Sequence, residues 1–565
     1  MNLRKIVLLF LTFCICTVKC QQDLSLECDE IDSEDYYDVE KPFCTISNFK
    51  VNHNQNVKIR NYSGWVVSSI KFMKFYESSL LYIPFKLFEE FPHLQTLDAS
   101  ATQILEITRN TFSSAGNLTF LNLAGNELTK ISTSVFVGAN SLLRLDLCHN
   151  KLEELSEFSF NGLKHLNSIM LCANQLKEIP SSLFKDNLFL NVVRLENNLL
   201  EHIAPEVFYD LFLLHEVNLI GNKLRTIDPN TFYRSYSLDD LFISTNRFTE
   251  FSLSNKSIMR HLEINENNLT SIFINGTKFV HAENNHISTI HMINSLFLES
   301  LFLAHNNISD IKNITKASGL LELSLSHNKI GQLNITTFDN LKRLRKLILR
   351  NIGLKYIAFG MFSKQVHLEV LDLSFNNLTT LNLDIFVPYM INLVQFYVDG
   401  NNLTEIQGKH SFAMAFQNLS TLGISQNHFN CSYLHMILIS PFLQSTVTLH
   451  IEPDSNNEES SHIRDISCSS NITQSLQEVK GELNHVSGLY DLMQESLKTQ
   501  RANEQKLALH LLLMKVALWL LISVVAGIGI MQYIRHRRKN YILRRNNSIV
   551  FNSQATISTV NHIDH

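Results

Sequence analysis

The strongest constraint on this chain is a spacing. From Ile70 to Phe429 the pattern L-x-x-L-x-L-x-x-N-x-L is written about sixteen times, with clear copies starting at Leu118, Leu142, Leu320 and Leu368. Starts fall at 70, 94, 118, 142, 166, 190, 214, 238, 259, 277, 298, 320, 344, 368, 393 and 419, and the first eight are 24 residues apart. Positions 4 and 6 alternate as a strand must, so both side chains enter one face. The ninth position is Asn in thirteen of the sixteen copies; Ser78, Thr102 and Ile352 are the exceptions. An amide both donates and accepts, so stacked Asn side chains satisfy the turning backbone of two copies at once. Phe recurs at position 19, at 88, 112, 136, 160, 184, 208 and 232, then at 338, 362 and 386.

This is the leucine-rich-repeat signature. No single copy can bury its own apolar face, so the copies must stack. The expected fold is an α/β leucine-rich-repeat solenoid, a horseshoe with a parallel β-sheet on its concave face. At roughly 4.8 Å per strand the sheet runs on the order of 75 Å along the arc. The Phe column is expected to form an aromatic spine behind the leucine core. Copies starting at 238, 259, 277 and 298 are shorter and lack the spine Phe, so curvature or twist is expected to shift between Leu238 and Leu320. A net charge of −5 gives no electrostatic reason to expect nucleic acid.

The flanks divide the rest of the chain. Residues 1–20 read as a secretory signal: Arg4 and Lys5 precede the apolar run Ile6–Cys16, with cleavage after Cys20 or after Cys16. Residues 21–69 then form an N-terminal cap, 70–429 the repeats and 430–470 a C-terminal cap, because an open solenoid exposes apolar core at both ends. Six cysteines remain after the signal, an even set in an oxidising compartment. Cys28–Cys44 and Cys431–Cys468 flank the solenoid and are expected to staple the caps. Cys148 and Cys172 stand one repeat apart at position 7, close enough to bridge, with two free surface thiols as the alternative. The acidic run Asp29–Glu40 is a solvated loop or a contact for a basic partner.

On the short copies, Asp239, Asp240, His261, Glu263, Glu266, His281, Glu283, His305 and His327 fall at exposed positions. Their spacing offers no closed tetrahedral set for zinc. They form either a hydrated polar face or part of a concave binding surface. Sequons stand at Asn61, Asn117, Asn255, Asn268, Asn275, Asn307, Asn313, Asn334, Asn377, Asn402, Asn418, Asn430 and Asn471, each a glycosylation site to be expected in a secreted chain.

After Cys468 the period changes. Leu476, Val479, Leu483, Val486, Tyr490, Met493 and Leu497 follow 3-4 spacing, so 471–506 is a coiled coil or a single stalk helix. Residues 507–534 are expected to form one transmembrane helix, whose charge-free part, 516–534, is roughly 28 Å long. Arg535, Arg537, Arg538, Lys539, Arg544 and Arg545 follow, which places the tail 535–565 in the cytoplasm and the N-terminus outside, a type I single-pass protein of the plasma membrane.

A signal peptide, long 24-residue repeats, a Cys-flanked end cap and a following coiled coil together resemble the mosquito leucine-rich repeat immune proteins, and the added span resembles their transmembrane subfamily. The resemblance implies extracellular innate-immune recognition, with soluble members pairing through coiled coils and binding complement-like thioester proteins. This chain lacks an adjacent cysteine pair before the coiled coil and adds the membrane span. Two readings follow: an immune receptor or co-receptor that binds a protein or microbial ligand, alone or as a homo- or hetero-dimer through the juxtamembrane helix, or an adhesion or developmental protein on the same scaffold. No nucleophile elbow, P-loop or HExxH motif points to an enzyme, and no motif calls for a cofactor.

Overall fold

The computed structural model describes residues 24–468, apart from 27, 29, 33–42, 52–56, 60–69, 85, 254–258, 388, 409–415, 440–446, 452–460 and 464–465. Residues 29 and 33–40 of the acidic run, Asn61, Asn255, Asn471, the seam from Leu476 to Leu497 and the 516–534 stretch lie outside the described residues; Glu30–Asp32 of that run form a strand rather than a loop. No helix among the described residues is long and apolar enough to cross a membrane.

Each repeat places a three-residue strand at positions 3 to 5, such as Phe120–Asn122, Arg144–Asp146 and Ser168–Met170, and each strand pairs in parallel with the next. The register is constant: Leu121 faces Leu145, Leu145 faces Ile169, and so on through Phe396 to Leu422. One strand is added at each end. Phe43–Ser47 joins ahead of Phe72–Tyr76, and Thr448–His450 joins after Thr421–Gly423, so both caps extend the sheet. Glu30–Asp32 lies antiparallel to Phe43–Ser47 at the N-terminal edge. The terminal strands have one partner each among the described residues, so the sheet is open.

Two columns hold the repeats together behind the sheet. The leucines at positions 1, 4 and 6 are buried in nearly every copy. The Phe column stacks at ring-centroid spacings of 5.3–6.3 Å from Phe88 to Phe232 and resumes from Phe338 to Phe386. Between these runs, where the copies are short, the far side of the solenoid closes with a parallel strand pair, Ser271–Asn275 against Thr289–Ile293. A shorter repeat has no room for a wide turn with a ring inside it. Extended backbone pairing satisfies the same peptide groups in less depth.

The Asn column does what its chemistry allows. Asn150 accepts from Leu128 N at 3.1 Å and donates to Leu123 O at 2.9 Å and Leu147 O at 3.1 Å, tying two repeats through one buried amide. At Ser78 the hydroxyl substitutes, accepting from Phe49 N at 3.0 Å. At Ile352 the column has no amide, and Gly331, in a left-handed conformation, donates to Ile352 O at 2.7 Å instead.

Position 8, just before the Asn, adopts positive φ in all sixteen copies, from Glu77 to Gln426. Only three are glycine, so the sequence carries no glycine signal for this turn. The conformation costs roughly 1–2 kcal/mol for an L side chain, and a backbone bond to the next copy, such as Ala101 N to Ala124 O at 2.8 Å, holds it, even at Asn351 before Ile352, where Asn351 N donates to Ser374 O at 3.0 Å.

The three cysteine pairs are bonded: Cys28–Cys44, Cys148–Cys172 and Cys431–Cys468. At the C-terminal end the helix Cys431–Leu438 is capped by Asn430 Oδ1, which accepts from Ser432 N at 2.9 Å. Its Leu434, Ile437 and Leu438 are buried over the last repeat. Asp399, fully buried, accepts from Ser425 N and Oγ at 2.8 and 2.6 Å, and its other oxygen lies 3.7 Å from His450 Nδ1 on the cap strand. Its carboxylate fills the space where a Cβ at residue 423 would sit, so that position has to be glycine.

Candidate functional site

The nine residues singled out between Asp239 and His327 divide into two groups, with Glu266 in the second. Asp239, Asp240, His261, Glu263, His281 and Glu283 lie on or beside three adjacent strands, Asp240–Phe242, His261–Glu263 and Phe279–His281. His305 and His327 occupy the left-handed position 8 at the edge of the sheet, where their rings stack at 4.0 Å.

In the first group, side chains at positions 3 and 5 of successive strands meet across the concave face. His261 lies edge-on to Phe242 at 5.1 Å and to His281 at 5.3 Å, and His281 stacks on Phe302 at 4.6 Å. Charges surround these rings. Arg260 makes two bonds to the buried Asp240 carboxylate, at 3.1 and 3.2 Å, while His215 lies between Asp239 and Asp240 at 3.5 and 3.7 Å. Glu263 accepts from Ser244 Oγ at 3.0 Å, and Glu283 lies 3.6 Å from His281. Lys278 pairs with Glu299 at 3.2 Å and rides over the Phe279 ring. Glu266 accepts from Thr245 at the edge.

Phe242, Phe279 and Phe302 were missed by a reading that searched this stretch for ionisable residues. The signal was present: aromatic residues at positions 3 and 5 of nearby copies, where many other copies carry polar ones such as Asn122, Arg144, Asp146 and Arg194. Among the described residues, no group of three or more His, Cys, Asp or Glu is placed to hold a metal ion.

Two histidines have depressed pKa values. Burial, then the neighbouring His281, pushes His261 down against the opposing pull of Glu263 and Asp240. Burial, then His305, does the same to His327. Asn351 Nδ2 lies 2.9 Å from His327 Nδ1, a contact that suits a neutral ring accepting at that atom. A histidine with a lower pKa folded than unfolded disfavours the fold once protonated. Its contribution is intact above the unfolded value, about 6.5, and is lost as pH falls from there through the folded value. The melting temperature is therefore expected to fall between pH 7 and pH 5, and His327→Gln should shrink that fall. Scanning calorimetry at the two pH values measures both; an unchanged difference in the variant would assign the pH dependence elsewhere.

Of the sequon residues described, Asn117, Asn268, Asn307, Asn313, Asn334, Asn377, Asn402 and Asn418 are exposed. Asn275 is half-buried and accepts from Asn294 Nδ2 at 3.0 Å, and Asn430 caps the terminal helix. Asn268, Asn307, Asn377 and Asn402 each directly follow the ladder Asn and so share one flank of the solenoid.

Family models described as "Leucine rich repeat" match residues 92–152, 189–248, 297–354 and 367–388. Lumican from Oryctolagus cuniculus is 32% identical over 146 residues, which are 24% of this chain and 72% of that relative. The chain belongs to the leucine-rich-repeat family. It is 31% identical over 181 residues to lumican from Coturnix japonica and spans about half of that relative's length, 51%, with 27% of its own. Among solved structures, this leucine-rich-repeat chain is similar to one in the LRIM1/APL1C complex, with a TM-score of 0.51 at 19% identity over 94% of this chain and 91% of that one. It is also similar to the glycosylated Toll–Spatzle complex, with a TM-score of 0.52 at 21% identity over 72% of this chain and 57% of that one. Both likenesses are in fold.

Proposed function

We propose that this protein is an innate-immune recognition receptor or co-receptor that binds a protein or microbial ligand on its concave face. The observation that carries the binding surface is the ring cluster of Phe242, His261, Phe279, His281 and Phe302. An aromatic centre with paired charges around it has the anatomy of a protein interface, where a buried apolar core lies inside a polar rim. Asp240, Glu263 and Glu283 with Arg260 and Lys278 supply that rim, and His305 and His327 extend it along the sheet edge. The immune reading rests on the order of modules, and on the likeness in fold to the Toll–Spatzle complex, a molecular hub in Drosophila development and innate immunity. The 516–534 stretch and the basic cluster after it support a single span with the solenoid outside the cell.

The test is capture by the purified protein from extracellular fluid taken before and after microbial challenge, followed by mass spectrometry. A partner is expected that binds after challenge and loses affinity about tenfold or more when Phe302, the ring that ends the cluster against His281, is replaced by Glu. Partners indifferent to both the challenge and Phe302→Glu would overturn the reading. A partner present on unchallenged neighbouring cells would instead place the protein among adhesion or developmental molecules.

A further inference from the structure

The flank on which the chain returns to its strands carries a second surface, away from the ring cluster. In most repeats the two residues just before each repeat start are polar, as at Asn140, Ser141 and Lys164. Before three consecutive starts, 190, 214 and 238, five of these six residues are large and apolar or aromatic, Ser237 being the exception. Leu188, Phe212 and Tyr236 form one exposed column, and Phe189 and Leu213 an adjacent one. Tyr209 and Tyr233, just after the buried spine rings, widen the patch. Tyr236 is 68% exposed, Phe189 52% and Phe212 40%. Phe212 and Tyr236 stack at 6.3 Å, and the Arg234 guanidinium lies 5.0 Å from the Tyr209 ring and 5.5 Å from the Phe212 ring.

We propose that this flank is where two copies of the chain associate. Three observations favour a second copy. The first is area: with about 150–250 Å² for a fully exposed large side chain, these seven expose on the order of 700 Å². That exceeds the largest apolar patch of a typical monomer, about 300–600 Å², and approaches the roughly 800 Å² per partner of a stable protein interface. The second is charge. A surface that meets itself across a two-fold axis brings each charge near its own copy. Here the Arg234 charge inside the patch is paired with Asp210 at 2.8 Å within the same chain, which lowers the cost of bringing it near its own copy. The third is access: no sequon lies between Asn117 and Asn255, so glycans would bound this stretch without being attached within it. The pairing is independent of the concave-face reading.

The experiment uses the full chain on cells, with two differently tagged copies and co-precipitation after membrane solubilisation. Phe212→Glu with Tyr236→Glu is expected to reduce pairing about tenfold or more while surface expression stays unchanged, because both side chains are already exposed. The Phe212→Lys, Tyr236→Lys chain should also fail to pair with itself. Mixed with the Glu chain it should pair again, because each patch then faces the opposite charge; a misfolded variant would show no such rescue. Pairing that persists in the Glu chain, pairing lost only with Leu483→Asp in the stalk, or an absence of self-pairing in the unmodified chain would each overturn the proposal.

Discussion

Replacing Phe160 by alanine is expected to lower the unfolding free energy by about 3–5 kcal/mol. The ring is fully buried and stacks between Phe136 and Phe184, 6.1 Å from each. Its removal leaves a cavity that neighbouring leucines cannot fill, because their backbones are pinned by the strand register. The matched control is Phe158→Ala, two residues earlier, where the ring is 49% exposed and a surface change is expected to stay within about 0.5 kcal/mol. Urea unfolding with hydrogen exchange separates the two. Since each repeat touches only its neighbours, the lost protection in Phe160→Ala should centre on repeats from about residue 118 to 214. Equal effects from the two substitutions would mean that the spine contributes no more than a surface ring.

Asn150→Leu is expected to cost about 1–3 kcal/mol. The amide serves Leu128 N, Leu123 O and Leu147 O, all buried beside it. Leucine is close in volume but leaves the Leu128 N–H without a partner, at about 1–3 kcal/mol, and removes one bond from each acceptor, since Leu123 O keeps Asn126 and Leu147 O keeps Asn174. The natural exception makes the contrast. Ile352 stands in the same column, and the local backbone has already turned to a different bond through Gly331. Ile352→Asn therefore does not restore the ladder: it puts an amide into a buried apolar place whose neighbours bond elsewhere and is expected to cost about 1–3 kcal/mol. Chemical denaturation of the three proteins measures this. A mild Asn150→Leu would show that water, rather than the amide, satisfies those peptide groups.

The period of the repeat was readable from residues alone because its causes are local and recur. Alternation at positions 4 and 6 sets the strand. An Asn at position 9 and a Phe at position 19 each need a like residue in the next copy, so one-dimensional spacing implies three-dimensional stacking. The same period placed Cys148 and Cys172 within reach of each other but left two free thiols open as the alternative, which the bonded pair in the structure decides. Position 8 was not readable, because its left-handed turn is held by a backbone bond to the next copy and accepts His, Ala, Phe or Gly alike.

Tertiary structure alone decided what each exposed side chain meets. His305 and His327 are 22 residues apart in sequence and 4.0 Å apart in space, and only the register of the short copies makes them a stacked pair with a depressed pKa at His327. The same holds for Arg260 on Asp240 and for the rings around His261. Phenylalanine shows the division most plainly. At position 19 it is buried in the spine, whereas Phe189 and Phe212, a few positions further along the repeat, face solvent. Residue type sets how much a side chain gains by leaving water. Whether it can leave is set by where the turn of the solenoid points it.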